Sequence, residues 1–311
     1  MPRFSIVIPC FNAEQTITET LDSVRAQSCS DWEAICIDDG SSDRTLAVLT
    51  RCAAEDARIR VLRIKNGGPS KARNLAALHI AQGEILAFLD ADDLWARDKL
   101  AVLDRAFAGR FAADAYYAEV QFFSGRGGRE TQSKIATSPL TVPHLLGENP
   151  LCTLSNLAVS TERFRESGGF DDSLVHCEDL EWLIRFVARG GRIEGIARTL
   201  VHYRASPFGL SADLGAMYRG WRSAIASARS YGHCASAAEL RRAEAVQLRY
   251  LARRALRMDA RTGQAAQFAW SGVRCNPAAF FTDLRRSLPT FLGALAAPFM
   301  PRAVRRALFC E

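Results

Sequence analysis

This 311-residue chain is informative first for what it lacks. Its nine cysteines (Cys10, Cys29, Cys36, Cys52, Cys152, Cys177, Cys234, Cys275 and Cys310) include no Cys-x-x-Cys pair, which argues against a zinc site. Their odd number and irregular spacing predict reduced thiols in a cytosolic protein. No uninterrupted apolar stretch reaches the roughly 18 residues of a spanning helix. The longest candidate, residues 291–301, carries two prolines. The start, Met1-Pro2-Arg3 followed by a strand-like segment, lacks the apolar region of a signal peptide, so secretion is not expected. Neither a G-x-G-x-x-G nor a G-x-x-x-x-G-K-[ST] pattern is present, which argues against a dinucleotide oxidoreductase and a P-loop NTPase. His79, His144, His176, His202 and His233 show no ligand spacing. Acidic charge is scarce in the tail: residues 241–311 hold 13 Arg, no Lys and 4 acids, a balance of 13 − 4 = +9 within a chain of net +6.

What is present is enough for a full core. With 48% hydrophobic and 24% charged residues, the composition suits one large domain plus an appendage. Apolar runs at residues 4–8, 32–37, 59–64 and 85–89 alternate with helical patterns at 14–27, 42–54 and 70–81, which predicts a parallel sheet with helices on both faces. A helix near 97–107, strands at 115–123 and 153–159, a turn or loop at Gly125-Arg126-Gly127-Gly128, a helix from Thr161 and a helix from Glu178 follow. From about residue 213 the Ala- and Arg-rich chain reads as helical.

Each early strand ends in a polar cluster, and such clusters share one crevice at the carboxyl edge of a parallel sheet. Asp90-Ala91-Asp92-Asp93 follows the buried run Ile85-Leu86-Ala87-Phe88-Leu89 directly. Asp90 and Asp92, two apart, would project to one side in an extended segment. Carboxylates so placed suit a hard divalent cation that keeps coordination sites for phosphate oxygens, although a solvated acidic turn is the plain alternative. Asp39 can accept the imide N–H of uracil or a ribose hydroxyl, whereas Ser41, Ser42 and Asp43 read as helix caps. Ser70 is either an N-cap or part of the loop. Lys71 and Arg73, in the first turn of the next helix, would face a diphosphate or base. Glu178 and Asp179, after a Gly-Gly turn, are ordinary helix-start acids or contain a general base.

Five segments in order carry a resemblance: Ser5-Ile6-Val7-Ile8-Pro9-Cys10-Phe11-Asn12, Ile37 through Asp43, Asn66-Gly67-Gly68 through Asn74, Phe88 through Asp93, and Gly168-Gly169-Phe170-Asp171 leading to Glu178-Asp179. The chain resembles the inverting family 2 glycosyltransferases of the bacterial cell-surface polysaccharide type, over residues 4–211. The resemblance implies an α/β GT-A fold, Rossmann-like, with a catalytic domain at 1–211 (nucleotide-sugar half 1–110, acceptor half 111–211) and a basic helical region at 212–311. It implies that Pro9, Asn12 and Glu14 line the nucleotide pocket, that Asp39 contacts the nucleoside, and that Lys71 and Arg73 lie beside the diphosphate or base. Asp90-Ala91-Asp92 would bind the donor, Asp90 at the ribose and Asp92 at Mg²⁺ or Mn²⁺, with Asp90 beside it. Asp179 takes the position of the catalytic base, with Glu178 second. His202-Tyr203-Arg204-Ala205-Ser206 lacks the His that many relatives place after the Arg.

The implied partners are a nucleotide-sugar donor, a UDP-sugar first, and a glycan or lipid-linked acceptor, without nucleic acid. The expected location is cytoplasmic, with peripheral contact between the basic tail and an anionic inner membrane face; a helical subdomain packed on the core is the alternative. A nucleotidyltransferase or sugar-nucleotide pyrophosphorylase would carry a Gly-rich basic loop after the first strand, where Pro9 to Glu14 stands instead. A non-catalytic nucleotide- or nucleic-acid-binding module is the rival of another class, and acidic strand tips would repel its phosphate backbone.

Overall fold

Two compact units make up the chain, Met1–Leu140 with Pro150–Ala205, and Thr141–Asn149 with Ser206–Glu311. The structure, a computed structural model, describes residues 1–123, 131–135, 139–147, 149–204, 212–228, 231, 235–258 and 263–309. The glycine-rich segment 125–128, Ala205 and Ser206, the boundary at 211, His233, Cys234 and Cys310 lie outside the described residues. The seven described cysteines are free thiols. Thr141–Asn149 belongs to the second unit, inside the span 111–211 suggested for the acceptor half.

The first unit is built in chain order from β1 (Phe4–Cys10), α1 (Ile17–Arg25), β2 (Trp32–Asp38), α2 (Thr45–Glu55), β3 (Ile59–Arg63), α3 (Pro69–Asn74), β4 (Ile85–Phe88), β5 (Leu94–Trp95), α4 (Lys99–Phe107), β6 (Ala115–Phe123) and β7 (Thr131–Gln132). The short helix α5 (Val142–Gly147) of the second unit intervenes before β8 (Ala158–Ser160), α6 (Thr161–Glu166), α7 (Glu178–Ala188) and β9 (Ile193–Arg204). The described strands form one sheet in the order β3-β2-β1-β4-β8-β6-β9-β5, with β7 on β6. β3, β2, β1 and β4 run parallel, as the alternation predicts, while β8 is antiparallel to both β4 and β6.

Alternate side chains explain the two buried faces. Phe4, Ile6, Ile8, Trp32, Ala34, Cys36, Ile85 and Ala87 pack with Ile17, Leu21, Leu49 and Cys52. Phe88 joins Phe164, Phe170 and Trp182 in an aromatic cluster with centroids 5.2–6.0 Å apart. That cluster seats α6 and α7.

Local details depart from the sequence reading. Residues 153–157 are not strand: Thr153 caps a 3₁₀ turn over Leu154–Asn156, because its hydroxyl and that of Ser155 turn inward to carboxylates. The predicted helix 70–81 divides into α3 and a π-helical turn, Leu75–Ile80. Ser70 is no N-cap, since Gly68 holds that position and Ser70 Oγ donates to the Leu174 carbonyl at 3.4 Å. β5 and β9 are absent from the sequence reading.

In the second unit, α8 (Leu214–Ala228), α9 (Ala237–Arg257), α10 (Gln264–Cys275), α11 (Pro277–Phe280), α12 (Leu284–Ala296) and α13 (Arg302–Phe309) bear out the helical tail. A capping box opens α9: Ser236 Oγ accepts from the Glu239 N–H at 3.2 Å, and the Ser236 N–H donates to Glu239 Oε2 at 2.8 Å. Leu214, Leu251, Ala252, Phe280 and Ala294 form its core. No described helix is long and apolar enough to cross a membrane.

Candidate active site

The parallel register of β2, β1 and β4 brings their carboxyl ends to one sheet edge. There Asp90-Ala91-Asp92-Asp93 is a turn, closed by the Asp93 N–H donating to the Asp90 carbonyl at 3.2 Å, and not the extended segment expected. The turn is anchored through Ala91, whose carbonyl accepts from Thr16 Oγ1 at 2.9 Å and Thr20 Oγ1 at 3.0 Å on the α1 side.

Arg73 joins this turn to the start of α7. Buried in the first helix turn after the Gly67-Gly68 loop, it donates from one terminal nitrogen to Asp90 Oδ1 at 2.6 Å and from the other to Glu178 Oε1 at 2.9 Å. Burial works against its charge, but Asp90 and Glu178 outweigh that and hold the guanidinium above its ordinary pKa. Burial raises the Glu178 carboxyl to about 7 against the pull of Arg73, and Asp179 adds to the rise. Asp179, half-buried, accepts the Leu180 N–H at 2.7 Å. The structure therefore places Arg73, Asp90, Glu178 and Asp179 in one cluster.

Neighbouring residues build its walls. Asn74 receives the Phe170 N–H at 2.9 Å on Oδ1 and donates to the Phe170 carbonyl at 2.8 Å, so the Gly168-Gly169-Phe170 turn docks on α3. Gly169 has φ +75°, and a Cβ there would lie 2.6 Å from Asn74 Oδ1. That position needs glycine twice over.

Asp39, buried, uses both carboxylate oxygens on the loop before α3: Oδ1 accepts from the Gly67 N–H at 2.8 Å and Oδ2 from the Gly68 N–H at 2.9 Å. Asn12 and Glu14 face the loop after β2. Asn12 Oδ1 accepts the Ser42 N–H at 2.9 Å, and Glu14 Oε2 accepts the Arg44 N–H at 2.9 Å. The expected caps serve this junction: Ser41 Oγ receives the Asn12 N–H at 3.0 Å, while Asp43 Oδ1 receives the Thr45 N–H at 2.9 Å. Arg44, not Ser41 or Ser42, is the N-cap of α2, because those serines are spent on Asn12. Pro9 lies half-buried near the end of β1, and Lys71 is exposed on α3.

Sequence reasoning missed the supports behind the acidic turn. Ser155 Oγ donates to Asp93 Oδ2 at 2.5 Å and receives the Asp90 N–H at 2.9 Å. Thr153 Oγ1 lies 3.2 Å from Asp90 Oδ2 and 3.1 Å from Asp93 Oδ2. Arg204 donates its N–H to Asp93 Oδ1 and its Nε–H to the Asp92 carbonyl, both at 2.9 Å. Buried Lys99 donates to the Ser155 carbonyl at 3.1 Å; desolvation lowers its pKa to about 7, opposed by Asp93. These residues are 56 to 112 positions from their partners, so no local spacing announces them. The Tyr203-Arg204 segment was the one available signal.

Among the described residues, three non-glycine residues have left-handed backbones: Asn12 (φ +50°), Cys152 (φ +66°) and Cys177 (φ +62°). Each adjoins a loop of this site. His176 lies half-buried beside Cys177, and His202 sits on β9 opposite Leu94.

The residues fit a hard cation modestly. Asp90 is committed to Arg73 and Thr153, whereas the Asp92 carboxylate is bonded by its own backbone N–H. Burial, then the Asp90 charge, raises the Asp92 carboxyl to about 6, with Arg204 opposing. A cation would relieve that repulsion. Among the described residues no group of three or more His, Cys, Asp or Glu forms a metal cage. An open site with Asp92 as its main protein ligand is what the donor set offers.

Residues 5–163 match the model of "Glycosyl transferase family 2". The chain belongs to glycosyl transferase family 2. Within the family it is 44% identical over 100 residues to the putative teichuronic acid biosynthesis glycosyltransferase TuaG of Bacillus subtilis, covering 32% of this chain and 39% of that protein. It is 27% identical over 208 residues to the poly(ribitol-phosphate) beta-N-acetylglucosaminyltransferase TarS of Staphylococcus aureus, covering 65% of this chain and 35% of TarS. The chain thus spans less than half the length of these curated relatives. The crystal structure of S. aureus TarS 1-349 in complex with UDP-GlcNAc superposes with a TM-score of 0.58 at 16% identity, over 95% of this chain and 91% of that one. This likeness carries the fold, a family 2 glycosyltransferase GT-A architecture with a helical C-terminal part.

Proposed function

We propose that the chain transfers a sugar from a nucleotide diphosphate sugar, a UDP-sugar first, to a hydroxyl of a glycan or lipid-linked glycan in polysaccharide biosynthesis, with inversion at the anomeric carbon. One observation carries the reading: Arg73 ties the acidic strand tip to the acidic start of α7, so donor-side and acceptor-side carboxylates share a cluster. Family membership supports the reaction class, and the UDP-GlcNAc named with TarS supports the donor class.

In this reading Asp179 accepts the acceptor hydroxyl proton as that oxygen attacks the anomeric carbon and the bond to the β-phosphate oxygen breaks; Glu178 is the second choice. Asp39 keeps acceptor capacity for a nucleoside N–H, because a carboxylate offers about four lone-pair sites and the glycine amides take two. Asp90 meets the ribose, Pro9, Asn12 and Glu14 flank the nucleotide, and Lys71 approaches the diphosphate. Arg73, held between two carboxylates, positions them and keeps N–H donors for the diphosphate or base. Mg²⁺ or Mn²⁺ held by Asp92, with Asp90 beside it, would supply Lewis-acid stabilisation of the departing diphosphate. The reaction would take place in the cytoplasm, with a lipid-linked acceptor presented at the inner membrane face.

The test is Asp179→Asn. Product formation should fall by about 10²- to 10⁴-fold while calorimetry still registers the sugar nucleotide. Undiminished transfer would reject the base assignment, and absence of nucleotide release from every sugar nucleotide tried would reject the reaction class.

A further inference from the structure

Helix α12 wears its apolar side outward. Leu284, Leu288, Leu292 and Leu295 follow one another at four, four and three residues, the spacing of a single helical face. They are 62%, 47%, 56% and 39% exposed. Phe299, just beyond, is 89% exposed. The face turned into the second unit is made of Ser287, Thr290, Gly293 and Ala294, with Phe291 at its edge against the Phe280 and Phe281 rings. Those hydroxyls can be buried because each bonds within the helix: Ser287 Oγ donates to the Asp283 carbonyl and Thr290 Oγ1 to the Arg286 carbonyl, both at 2.7 Å. Gly293 leaves room for the Phe309 ring of α13, which a Cβ there would approach to 2.8 Å. Small residues thus let the helix settle closely while its leucines stay in solvent. An ordinary surface helix does the reverse.

The charge beside this stripe is mostly positive. Residues 283–309 contain five arginines and one acid, Asp283, which caps α12 and pairs with Arg286 at 3.3 Å. Arg285 and Arg302 are exposed, and Val304 and Leu308 of α13 are exposed with them. A contiguous leucine face with flanking arginines is what an amphipathic helix needs to lie in the headgroup layer of an anionic bilayer. A second copy of the chain is a poorer occupant. Two-fold pairing of this face would bring arginines together with one carboxylate per copy, Asp283, which is already paired with Arg286.

We infer that the exposed face of α12, continued by Phe299 and α13, is a docking surface for an anionic lipid bilayer. The inference stands on the second unit alone and is independent of the transfer reaction. It is tested by sedimentation of the full chain with vesicles of zwitterionic lipid alone and of the same lipid mixed with phosphatidylglycerol. The chain should bind the mixed vesicles more tightly. The double variant Leu288→Glu/Leu292→Glu should lose at least about tenfold in partitioning, since two apolar side chains of this size leave the interface and two like charges enter it. Both positions are exposed, so its melting temperature should match that of the parent. Arg285→Gln should weaken binding about fivefold, the equivalent of roughly 1 kcal/mol per basic residue near the surface. No binding of the full chain to the mixed vesicles, or undiminished binding by the double variant, overturns the inference. A dimer in sedimentation equilibrium that the double variant dissolves, without vesicle binding, assigns the face to a second copy and also overturns it.

Discussion

Arg73 donates to Glu178 at 2.9 Å across 105 residues of sequence, with both side chains largely withdrawn from water. The same guanidinium holds Asp90, so removing it leaves two inward carboxylates without their cation. Arg73→Ala should cost about 3–5 kcal/mol, the range for breaking a buried pair by deleting one partner. Arg73→Lys should recover only part of this, because a single ammonium lacks the fork that spans both acids. Urea unfolding of the three proteins measures both effects.

Glu178 also makes stability pH-dependent. Its folded-state value of about 7 lies above the ordinary 4.5, so between those values the native state holds a proton the unfolded chain has released. The associated stabilisation is complete below about pH 4.5 and is lost as the pH rises through 7. Glu178→Gln removes this titration. Thermal melts at pH 5 and pH 8 should show the parent losing stability relative to the variant at the higher pH, by up to about 3 kcal/mol. A parent-minus-variant difference that does not change with pH would contradict the raised value.

Asn74 and Gly169 should behave as one unit. Gly169→Ala introduces a side chain at φ +75° against Asn74 Oδ1, and Asn74→Ala removes the bonds that dock the turn. Each alone should destabilise by about 1–3 kcal/mol. The double variant should cost clearly less than the sum, since the clash disappears with the amide. A double-mutant cycle by chemical denaturation decides this.

Divalent metal should govern donor binding through Asp92. With Mn²⁺ and a UDP-sugar at about 100 times its Kd, the parent should gain about 2.7 kcal/mol of apparent stability. Chelation, or Asp92→Asn, should remove most of that gain, whereas the ligand-free variant should melt higher than the parent at neutral pH, since the raised Asp92 carboxyl is no longer charged there. Equal stabilisation with and without metal would remove the cation from the proposal.

The four parallel strands were legible because each is a short apolar run closed by a polar tip, a pattern set by burial on both faces. The acids at Asp90, Asp92, Glu178 and Asp179 were legible as types at element ends. Three things were not. β9 reads Ile-Glu-Gly-Ile-Ala-Arg-Thr-Leu-Val-His-Tyr-Arg, which has no clean period and becomes a strand through its parallel pairing with β6 and antiparallel pairing with β5. Ser155 looks like any strand serine until Asp93 is beside it. The pairing of Arg73 with Asp90 and Glu178 has no local signal, although the residue was expected beside a diphosphate or base. Each miss is a long-range partner overriding local propensity.

Asn12, Cys152 and Cys177 give the crevice an uneasy rim. Backbones of this kind persist only where surrounding bonds over-determine them, and for a bulkier residue each costs on the order of 1–3 kcal/mol. The rim is therefore the part of the molecule with most to gain from letting go. On gentle heating or in dilute denaturant, the loops there should slacken while the sheet beneath remains intact, and turnover should fade before the fold does.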